Sequence, residues 1–378
     1  EPLIKKEYFQ KENCTRVFAG EKELGIEAGD TREKSYGVVV DIGTTTLVAA
    51  IVNLNDGSQL GTVSSLNPQA VYAQDVLSRI KFSSDDNGLS TMYTEVIKEI
   101  NRMIHEVSDN CGISTENIYE VIFSGNTCMI HLASNTNPES LGKYPYTPKV
   151  NGAVYLNASE HKIDISKFGI IYLPPIVSAY VGADITSGIL ASRLHEKKGI
   201  TLFVDIGTNG EMVIGFDGNL SATSTAAGPA FEGMNITCGM RAGHGAIEFF
   251  EVSKQGTVET KVIGDTKASG ICGSGLIDIV GELVDKGVVN KSGKFVDPEA
   301  SDLPQALKEK LVKKDGKLVF KITDDVYLSQ KDIRQVQLAK GAVRAGIEFL
   351  LANKGVKAED VDKVLIAGSF GYHLRAKS

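Results

Sequence analysis

Two aspartates in this sequence end apolar runs and precede the same short turn. Asp41 is followed by Ile-Gly-Thr-Thr-Thr, and Asp205 is followed by Ile-Gly-Thr-Asn-Gly. Carboxylate oxygens are ligands that Mg²⁺ prefers, and Mg²⁺ keeps several of its waters when a protein binds it. The backbone N–H groups of a tight glycine-containing turn can face a phosphate group. Each segment therefore predicts a hairpin that binds phosphate, with hydrated Mg²⁺ held by the aspartate.

The repetition of this segment is more informative than either copy alone. A single Asp-Ile-Gly-Thr segment is explained equally well by an ordinary hairpin, whereas two copies favour a duplicated phosphate clamp formed by two lobes. We expect lobe I to span residues 36–199 and lobe II to span residues 200–378. Residues 1–35 are mixed and charged, and we expect them to be a linker or the tail of a preceding domain.

The elements that position the two turns are predicted from apolar periodicity and from the placement of Gly and Pro. Three strands are predicted around each turn, at 37–42, 46–53 and 59–65 in lobe I and at 201–206, 211–216 and 220–225 in lobe II. Further strands are predicted at 119–123, 170–173 and 363–366. Helices are predicted near 69–82, 90–110, 128–133, 181–194, 276–285 and 331–352. The charged segment 287–330 is expected to be a surface insertion.

The composition argues against several classes of protein. The chain has 378 residues, enough for two or three domains with well-packed cores. Its net charge of −7 and the lack of a long basic run argue against a nucleic-acid partner. No apolar run reaches about 18 residues, so no membrane span is predicted and a cytoplasmic protein is expected. The five cysteines are scattered and the six histidines are isolated, which argues against a zinc or iron–sulfur site within this chain.

The order of these segments resembles that of the actin-like ATPase superfamily, which contains acetate and sugar kinases, heat-shock chaperones and actin. Its two phosphate hairpins match residues 41–46 and 205–210, and its adenosine motif matches the strand and turn at 364–371. The resemblance implies an α/β fold with two ribonuclease-H-like lobes. Each lobe would be a mixed five-stranded sheet flanked by helices, and ATP with Mg²⁺ would occupy a cleft between the lobes.

Within that superfamily the chain resembles most the reductive activators of corrinoid-dependent enzymes. The similarity is carried by residues 41–46, 173–175, 181–184, 239–243 and 270–278. It implies that ATP drives one electron onto a corrinoid, converting Co(II) to Co(I), in a corrinoid partner protein of a methyltransferase system such as an O-demethylase. A [2Fe–2S] cluster that relays the electron from an external donor is expected only in a domain that precedes this sequence. The second lobe is expected to be cut at its C-terminal end, and a homodimer is one candidate assembly.

The resemblance also implies roles for individual residues. Asp41 and Asp205 would hold hydrated Mg²⁺, and Asp184, which would orient the attacking water, completes the expected catalytic set. The alternative for Asp184 is a carboxylate that complements the dipole of a helix N-terminus. The implied nucleotide-binding residues are Gly43, Thr44, Thr45, Thr46, Gly207, Thr208, Asn209, Gly228, Gly273, Ser274, Gly368, Ser369 and Phe370.

Some of these candidates have ordinary structural alternatives. Gly273 and Ser274 belong to a G-x-x-G-x-G segment that close packing explains equally well. Glu211 is a second candidate for orienting water, and a solvent-facing strand residue is its alternative. Arg241 and His244 are candidates for the cleft or for the surface that meets the partner.

Two other functions remain open at this point. A small-molecule kinase of the same fold would need an acceptor pocket with a positioned acid or base in lobe I, and no sugar-binding aspartate cluster is visible there. A nucleotide-regulated scaffold would bind ATP but would hydrolyse it no faster with a partner than alone.

Overall fold

The computed structural model describes residues 3–368 of the chain. The chain forms two compact units, Glu1–Ser192 and Arg193–Ser378, called unit 1 and unit 2 below. Among residues 3–368, no helix is both long enough and apolar enough to cross a lipid bilayer.

Unit 1 begins with a small antiparallel sheet. Its strands, in spatial order, are β1 (Ile4–Phe9), β2 (Cys14–Ala19) and β3 (Lys22–Ala28). Ile4 and Val17 of this sheet share a buried apolar cluster with Tyr119 and Ile170 of the main sheet. Gly25 leaves room for the ring of Phe168, which a Cβ at this position would strike. Residues 4–28 are therefore a folded part of unit 1, in contrast to the linker or tail expected from the sequence.

The main sheet of unit 1 surrounds the first Asp-Ile-Gly-Thr segment. Its six strands are β4 (Tyr36–Ile42), β5 (Thr46–Asn53), β6 (Gln59–Leu66), β7 (Ile118–Gly125), β8 (Val154–Asn157) and β9 (Ile170–Leu173). They lie in the order β6-β5-β4-β7-β9-β8, with β4 antiparallel to β5 and parallel to β7. This ribonuclease-H-like order confirms the predicted fold class. The predicted count of five strands is wrong, because β8 adds an antiparallel strand at the edge.

Four helices of unit 1 cover this sheet or connect its strands. They are α1 (Val76–Phe82), α2 (Asp86–Cys111), α3 (Thr127–Ala133) and α4 (Ala183–Ala191). The helix predicted at 69–82 is interrupted, because two separate helical segments begin in this region. The side chain of Asn67 caps the first and accepts a hydrogen bond from the N–H of Gln69, and that of Asp75 caps the second and accepts one from the N–H of Ser78. The helix predicted at 181–194 is also shorter, since Arg193 adopts a left-handed φ of 51°.

Unit 2 repeats the central arrangement of unit 1. Its strands are β10 (Ile200–Ile206), β11 (Gly210–Phe216), β12 (Asn219–Thr225), β13 (Ala246–Val252), β14 (Val258–Val262), β15 (Gly270–Ile271), β16 (Leu311–Lys314), β17 (Lys317–Lys321), β18 (Tyr327–Ser329) and β19 (Lys363–Ala367). The sheet β12-β11-β10-β19 matches β6-β5-β4-β7 in order and direction. It has four strands within the described residues, against five predicted. Asp217 and Gly218 join β11 to β12 with positive φ at both residues, as a tight Asp-Gly hairpin turn requires.

The remaining strands of unit 2 form two small sheets, β14-β13-β15 and β16-β17-β18. Three helices accompany them, namely α5 (Gly273–Asp285), α6 (Gln305–Lys308) and α7 (Gln330–Lys354). Phe320 and Leu328, on β17 and β18, are fully buried in one apolar cluster with Ile279 of α5. The segment 287–330 therefore contributes to the core of unit 2, and its prediction as a surface insertion is wrong.

Candidate functional site

The first turn joins β4 to β5 at the carboxyl end of β4. The strand pairing closes at Ile42 opposite Leu47. Gly43 approaches the carbonyl oxygen of Thr46 so closely that a Cβ would collide with it. Glycine is therefore required here by contact with the backbone, as the sequence pattern indicated.

The carbonyl groups of the first turn are held from inside unit 1. The Nδ2 of Asn67 donates to the carbonyl oxygen of Gly43 at 2.8 Å, and its backbone N–H donates to that of Thr45 at 3.0 Å. The Nη2 of Arg79 donates to the carbonyl oxygen of Thr44 at 2.6 Å. Because the C=O and N–H of a trans peptide point in opposite directions, three consecutive N–H groups are directed to the opposite side of the turn. This is the orientation that phosphate binding needs.

The segment Ser124–Thr127, between the strand predicted at 119–123 and the helix predicted at 128–133, lies beside this turn. Parallel pairing places Ser124 opposite Asp41 at the carboxyl ends of β7 and β4, where open α/β sheets bind their ligands. The Nδ2 of Asn126 donates to the Oγ1 of Thr44 at 3.1 Å, while its Oδ1 accepts the N–H of Met129 and caps α3. Asn126 thus joins the turn to the start of α3.

Asp184 lies at the start of α4, next to the same sheet edge. The Oγ of Ser124 donates to the carbonyl oxygen of Ala183 at 3.3 Å. A Cβ on Gly182 would lie 2.6 Å from the Cα of Asn126, so the starts of α3 and α4 are in close contact. The Oδ1 of Asp184 accepts the N–H of Ile185 at 2.8 Å. That bond is the one expected of a helix N-terminal carboxylate, and the water-orienting role of Asp184 stays a prediction.

The second turn, between β10 and β11, has its own backbone scaffold. The N–H of Gly207 donates to the carbonyl oxygen of Asn209, and the N–H of Gly228 donates to that of Thr208, both at 2.9 Å. The Oγ1 of Thr208 donates to the Oε1 of Glu232 at 2.5 Å. Four residues expected at this turn or beside it are thus together in unit 2. Glu232 was not singled out from the sequence, because a carboxylate after a glycine-rich segment carries no distinctive pattern.

Asp205 precedes the second turn in a more buried environment than that of Asp41. Burial raises the pKa of Asp205 to about 6, because desolvation disfavours the ionised carboxylate. The carboxylate of Asp41, by contrast, belongs to an exposed residue. A Cβ on Gly368 would lie 2.9 Å from the Oδ1 of Asp205, so the end of β19 packs directly against this carboxylate. Ser369 and Phe370, expected in the same adenosine segment, lie outside the described residues.

These carboxylates fit a hydrated magnesium ion better than a fully protein-bound metal. A neighbouring cation would offset the desolvation that disfavours the ionised form of Asp205. Within residues 3–368, no group of three or more His, Cys, Asp or Glu side chains could hold a metal ion. A single carboxylate supplemented by waters and substrate phosphates is the usual way in which proteins bind Mg²⁺.

The other candidate residues of unit 2 have defined surroundings. Ser274 is buried in the first turn of α5, which follows β15 and packs on β13. Glu211 is buried and accepts a hydrogen bond from the Oγ of Ser224 across the β11–β12 pair, so the solvent-facing alternative is wrong. Burial lowers the pKa of Arg241, and the charge of Glu232 partly offsets this effect. His244 packs against Gly264.

Comparison with known proteins identifies the family. A model of the RACo middle region matches residues 36–197, and a model of the C-terminal domain of RACo, the ASKHA domain, matches residues 199–378. The chain belongs to the RACo family. This agrees with the resemblance to corrinoid activators and to the actin-like superfamily that was found from the sequence.

Named relatives and a solved structure agree with this assignment to the RACo family. The chain is 33% identical over 368 residues to the corrinoid activation enzyme RamQ of Eubacterium limosum, covering 95% of this chain and 62% of RamQ. It is 25% identical over 356 residues to the [Co(II) methylated amine-specific corrinoid protein] reductase of Methanosarcina barkeri, covering 90% of this chain and 64% of the reductase. A solved structure of a reductive activator for a corrinoid, iron–sulfur protein superposes with a TM-score of 0.85 at 36% identity, covering 95% of this chain and 58% of that one. The chain thus spans less than two thirds of the length of each.

Proposed function

We propose that this chain is the ATP-binding and ATP-hydrolysing part of an enzyme that reductively activates a corrinoid protein, converting Co(II) to Co(I). The observation that carries the proposal is the duplicated Asp-Ile-Gly-Thr turn, found at the same strand end of two similar sheets. Membership of the RACo family and the names of the relatives support the corrinoid substrate. They favour this function over a small-molecule kinase.

The proposed roles follow from the surroundings of each turn. The inward carbonyl groups of the first turn leave its N–H groups oriented for phosphate oxygens, and residues 207–209 contribute the corresponding contacts in unit 2. Asp41 in unit 1 and Asp205 in unit 2 would each support hydrated Mg²⁺, which would neutralise charge on the phosphates. Asp184 orients a water that attacks the γ-phosphorus, and the bond from that phosphorus to the β–γ bridging oxygen breaks as ADP leaves. The proton of the water passes to the carboxylate.

The electron that reduces cobalt is proposed to arrive from outside this sequence, through a [2Fe–2S] domain and an external donor. The partner is a corrinoid protein of a methyltransferase system, and both proteins are proposed to be cytoplasmic. Nucleotide turnover can assist the transfer if the partner changes nucleotide affinity, because such coupling is reciprocal. Each tenfold change in a one-electron equilibrium corresponds to about 59 mV, so a modest coupling has a measurable effect on reduction.

The first prediction concerns the binding of MgATP. Replacing Asp205 by Ala removes a carboxylate that supports the metal, so the affinity for MgATP should fall by about 10- to 100-fold. Isothermal titration calorimetry, with and without Mg²⁺, measures this change. Asp324→Ala is the matched control, because Asp324 is an exposed carboxylate of the same unit. Equal affinities of Asp205→Ala and wild type would remove the phosphate-clamp assignment.

The corrinoid partner is tested by a turnover assay with the full-length protein, which includes the proposed [2Fe–2S] domain. Phosphate release should accelerate when a Co(II) corrinoid protein is added, and the spectrum of Co(I) should appear when a low-potential reductant is present. A rate that does not respond to the partner, together with phosphorylation of a sugar or acid, would favour the kinase.

A further inference from the structure

Arg79 lies directly beneath the first turn and is fully buried. It belongs to α1, and its guanidinium reaches three oxygen acceptors in different segments. The Nη2 donates to the carbonyl oxygen of Thr44 at 2.6 Å, the Nε to that of Ala73 at 3.0 Å, and the Nη1 to the Oε1 of Gln69 at 3.1 Å. The Nη1 also contacts the Sδ of Met129 at 2.9 Å. The guanidinium of Arg79 therefore connects α1 to the first turn and to the segment that precedes α1.

The hydrogen-bond partners of this cation are all uncharged. Among residues 3–368, no carboxylate forms an ion pair with Arg79, and every oxygen that it contacts belongs to a neutral group. Burial lowers the pKa of Arg79 to about 10, because desolvation disfavours the charged form. The side chain nevertheless remains protonated at neutral pH. A buried charge that forms no ion pair is costly, and the nearby carboxylate of Asp75 offsets only part of the desolvation. A negative group from outside the chain would therefore have a further stabilising effect here.

The first turn separates Arg79 from the side to which the N–H groups of the turn are directed. The hydrogen bond to Thr44 fixes the peptide plane that follows, and the charge lies in a low-dielectric environment where it is weakly screened. We infer that Arg79 is a positioning residue for the polyphosphate of the nucleotide. Its planar guanidinium holds the first turn in the phosphate-binding orientation, and its positive charge attracts the polyphosphate across the turn. The inference rests on the proposed nucleotide function, which it deepens.

Substitutions at Arg79 can distinguish its two proposed effects, which are holding the first turn and attracting the polyphosphate. Lysine would keep the positive charge but could not hold Thr44, Ala73 and Gln69 simultaneously, because it lacks the planar fork. Methionine would keep an unbranched apolar stem and remove the charge. A role in folding alone would affect all nucleotides equally, whereas a role in charge attraction should weaken the binding of ATP more than that of ADP.

The test compares Arg79→Met, Arg79→Lys and wild type by calorimetry with MgATP and MgADP. Arg79→Met should bind MgATP about tenfold or more weakly, because a charge-assisted contact is lost, and MgADP should lose less. Arg79→Lys should lie between the two proteins. The control is Arg102→Met, since Arg102 is an exposed arginine of α2 paired with Glu99 and Glu106, and its affinities should equal those of wild type.

Each outcome decides a different claim. A wild-type chain that binds no nucleotide would refute the proposed function, and the inference with it. If wild type binds, an Arg79→Met variant with unchanged MgATP affinity, or with equal losses for MgATP and MgADP, would overturn the inference alone. Should Arg79→Met fail to give a cooperative thermal transition, Arg79→Lys decides. A loss of about threefold or more for MgATP would then support the role, and an affinity equal to that of wild type would overturn it.

Discussion

At the scale of single residues, burial and hydrogen bonding determine the protonation state of a side chain that its residue type alone does not determine. His131 is fully buried on α3, where its Nδ1 lies 2.7 Å from the carbonyl oxygen of Thr127. Its Nε2 accepts the N–H groups of Lys149 and Val150, at 3.0 and 3.2 Å. A carbonyl requires Nδ1 to carry the proton, and two donors require Nε2 to carry a lone pair. His131 is therefore neutral and ties α3 to the loop that precedes β8.

This arrangement predicts a dependence of stability on pH. Desolvation lowers the pKa of His131 below the ordinary value of 6.5, although the bond to Thr127 opposes this in part. Below pH 6.5 the unfolded chain binds a proton at His131 that the folded chain does not bind. The free energy of unfolding should therefore decrease as the pH is lowered, by up to about 1.4 kcal/mol per pH unit. In His131→Gln this contribution should be absent. Urea unfolding at about pH 7.5 and about pH 5.5 measures the difference.

The exposed histidine of α2 provides the control for this experiment. His105→Gln replaces a histidine side chain that is 51% exposed, and the pH dependence of His131→Gln is compared with that of this variant. If His131→Gln keeps the pH dependence of wild type, His131 is not the neutral group described above.

At the scale of elements, one glycine permits the contact between α3 and α4 that brings Asp184 to the sheet edge. Gly182 has a φ of −97°, which other residues adopt readily, so backbone conformation does not require glycine there. The requirement is steric, because an added Cβ would lie 2.6 Å from three backbone atoms of residues 125–127. Backbone atoms in a sheet-linked turn cannot move aside as the end of a flexible side chain can.

Gly182→Ala should therefore force α4 away from α3. The expected loss is about 1–3 kcal/mol in the free energy of unfolding, as for other overpacked sites. Chemical denaturation followed by circular dichroism measures it. Gly341→Ala is the matched control, because Gly341 lies within α7 and has no atom within 4 Å of an added Cβ. The control should be stabilised by up to about 1 kcal/mol, and a neutral result for Gly182→Ala would contradict the steric argument.

At the scale of the whole molecule, the N-terminal sheet is joined to unit 1 by a buried polar cluster. The Nζ of Lys6 donates to the hydroxyl of Tyr119 at 2.9 Å and lies 3.1 Å from a carboxylate oxygen of Glu27. The hydroxyl of Tyr119 donates to the other oxygen of Glu27 at 2.6 Å. The pKa of Tyr119 is raised by burial and by this carboxylate. Because Tyr119 belongs to β7, the cluster connects the small sheet to the sheet that carries the first turn.

Removing the hydroxyl of Tyr119 should loosen this connection without affecting unit 2. In Tyr119→Phe the buried charges of Lys6 and Glu27 lose a shared partner, which should cost about 1–3 kcal/mol. Hydrogen exchange followed by mass spectrometry should show faster exchange in residues 4–28 and unchanged exchange in residues 200–225. Tyr8→Phe is the control, because Tyr8 makes an exposed hydrogen bond within the small sheet. Equal exchange in all three proteins would mean that the cluster does not hold the sheet.

Local sequence patterns were sufficient for the duplicated turns, their flanking strands and the superfamily. Strand periodicity, a glycine turn and an Asp-Gly hairpin pair are properties of a few consecutive residues, and β5 begins and ends where it was predicted. The strand count and the N-terminal sheet could not be obtained in this way. Edge strands such as β8 are short and exposed, and β1 to β3 owe their place to contacts with residues more than a hundred positions away.

The side chains that support the two turns could be identified only from the tertiary structure. Arg79 and Glu232 belong to no motif recognised in the sequence, and the residues adjacent to them do not show that either side chain supports a turn. Arg79 reaches Thr44 across 35 positions only because α1 folds beneath the sheet edge. Asp41 and Asp205 have the same neighbours in the sequence, yet Asp41 is exposed, whereas burial raises the pKa of Asp205 to about 6. Burial and hydrogen bonding depend on which distant segments meet, and a pattern of neighbouring residues does not contain that information.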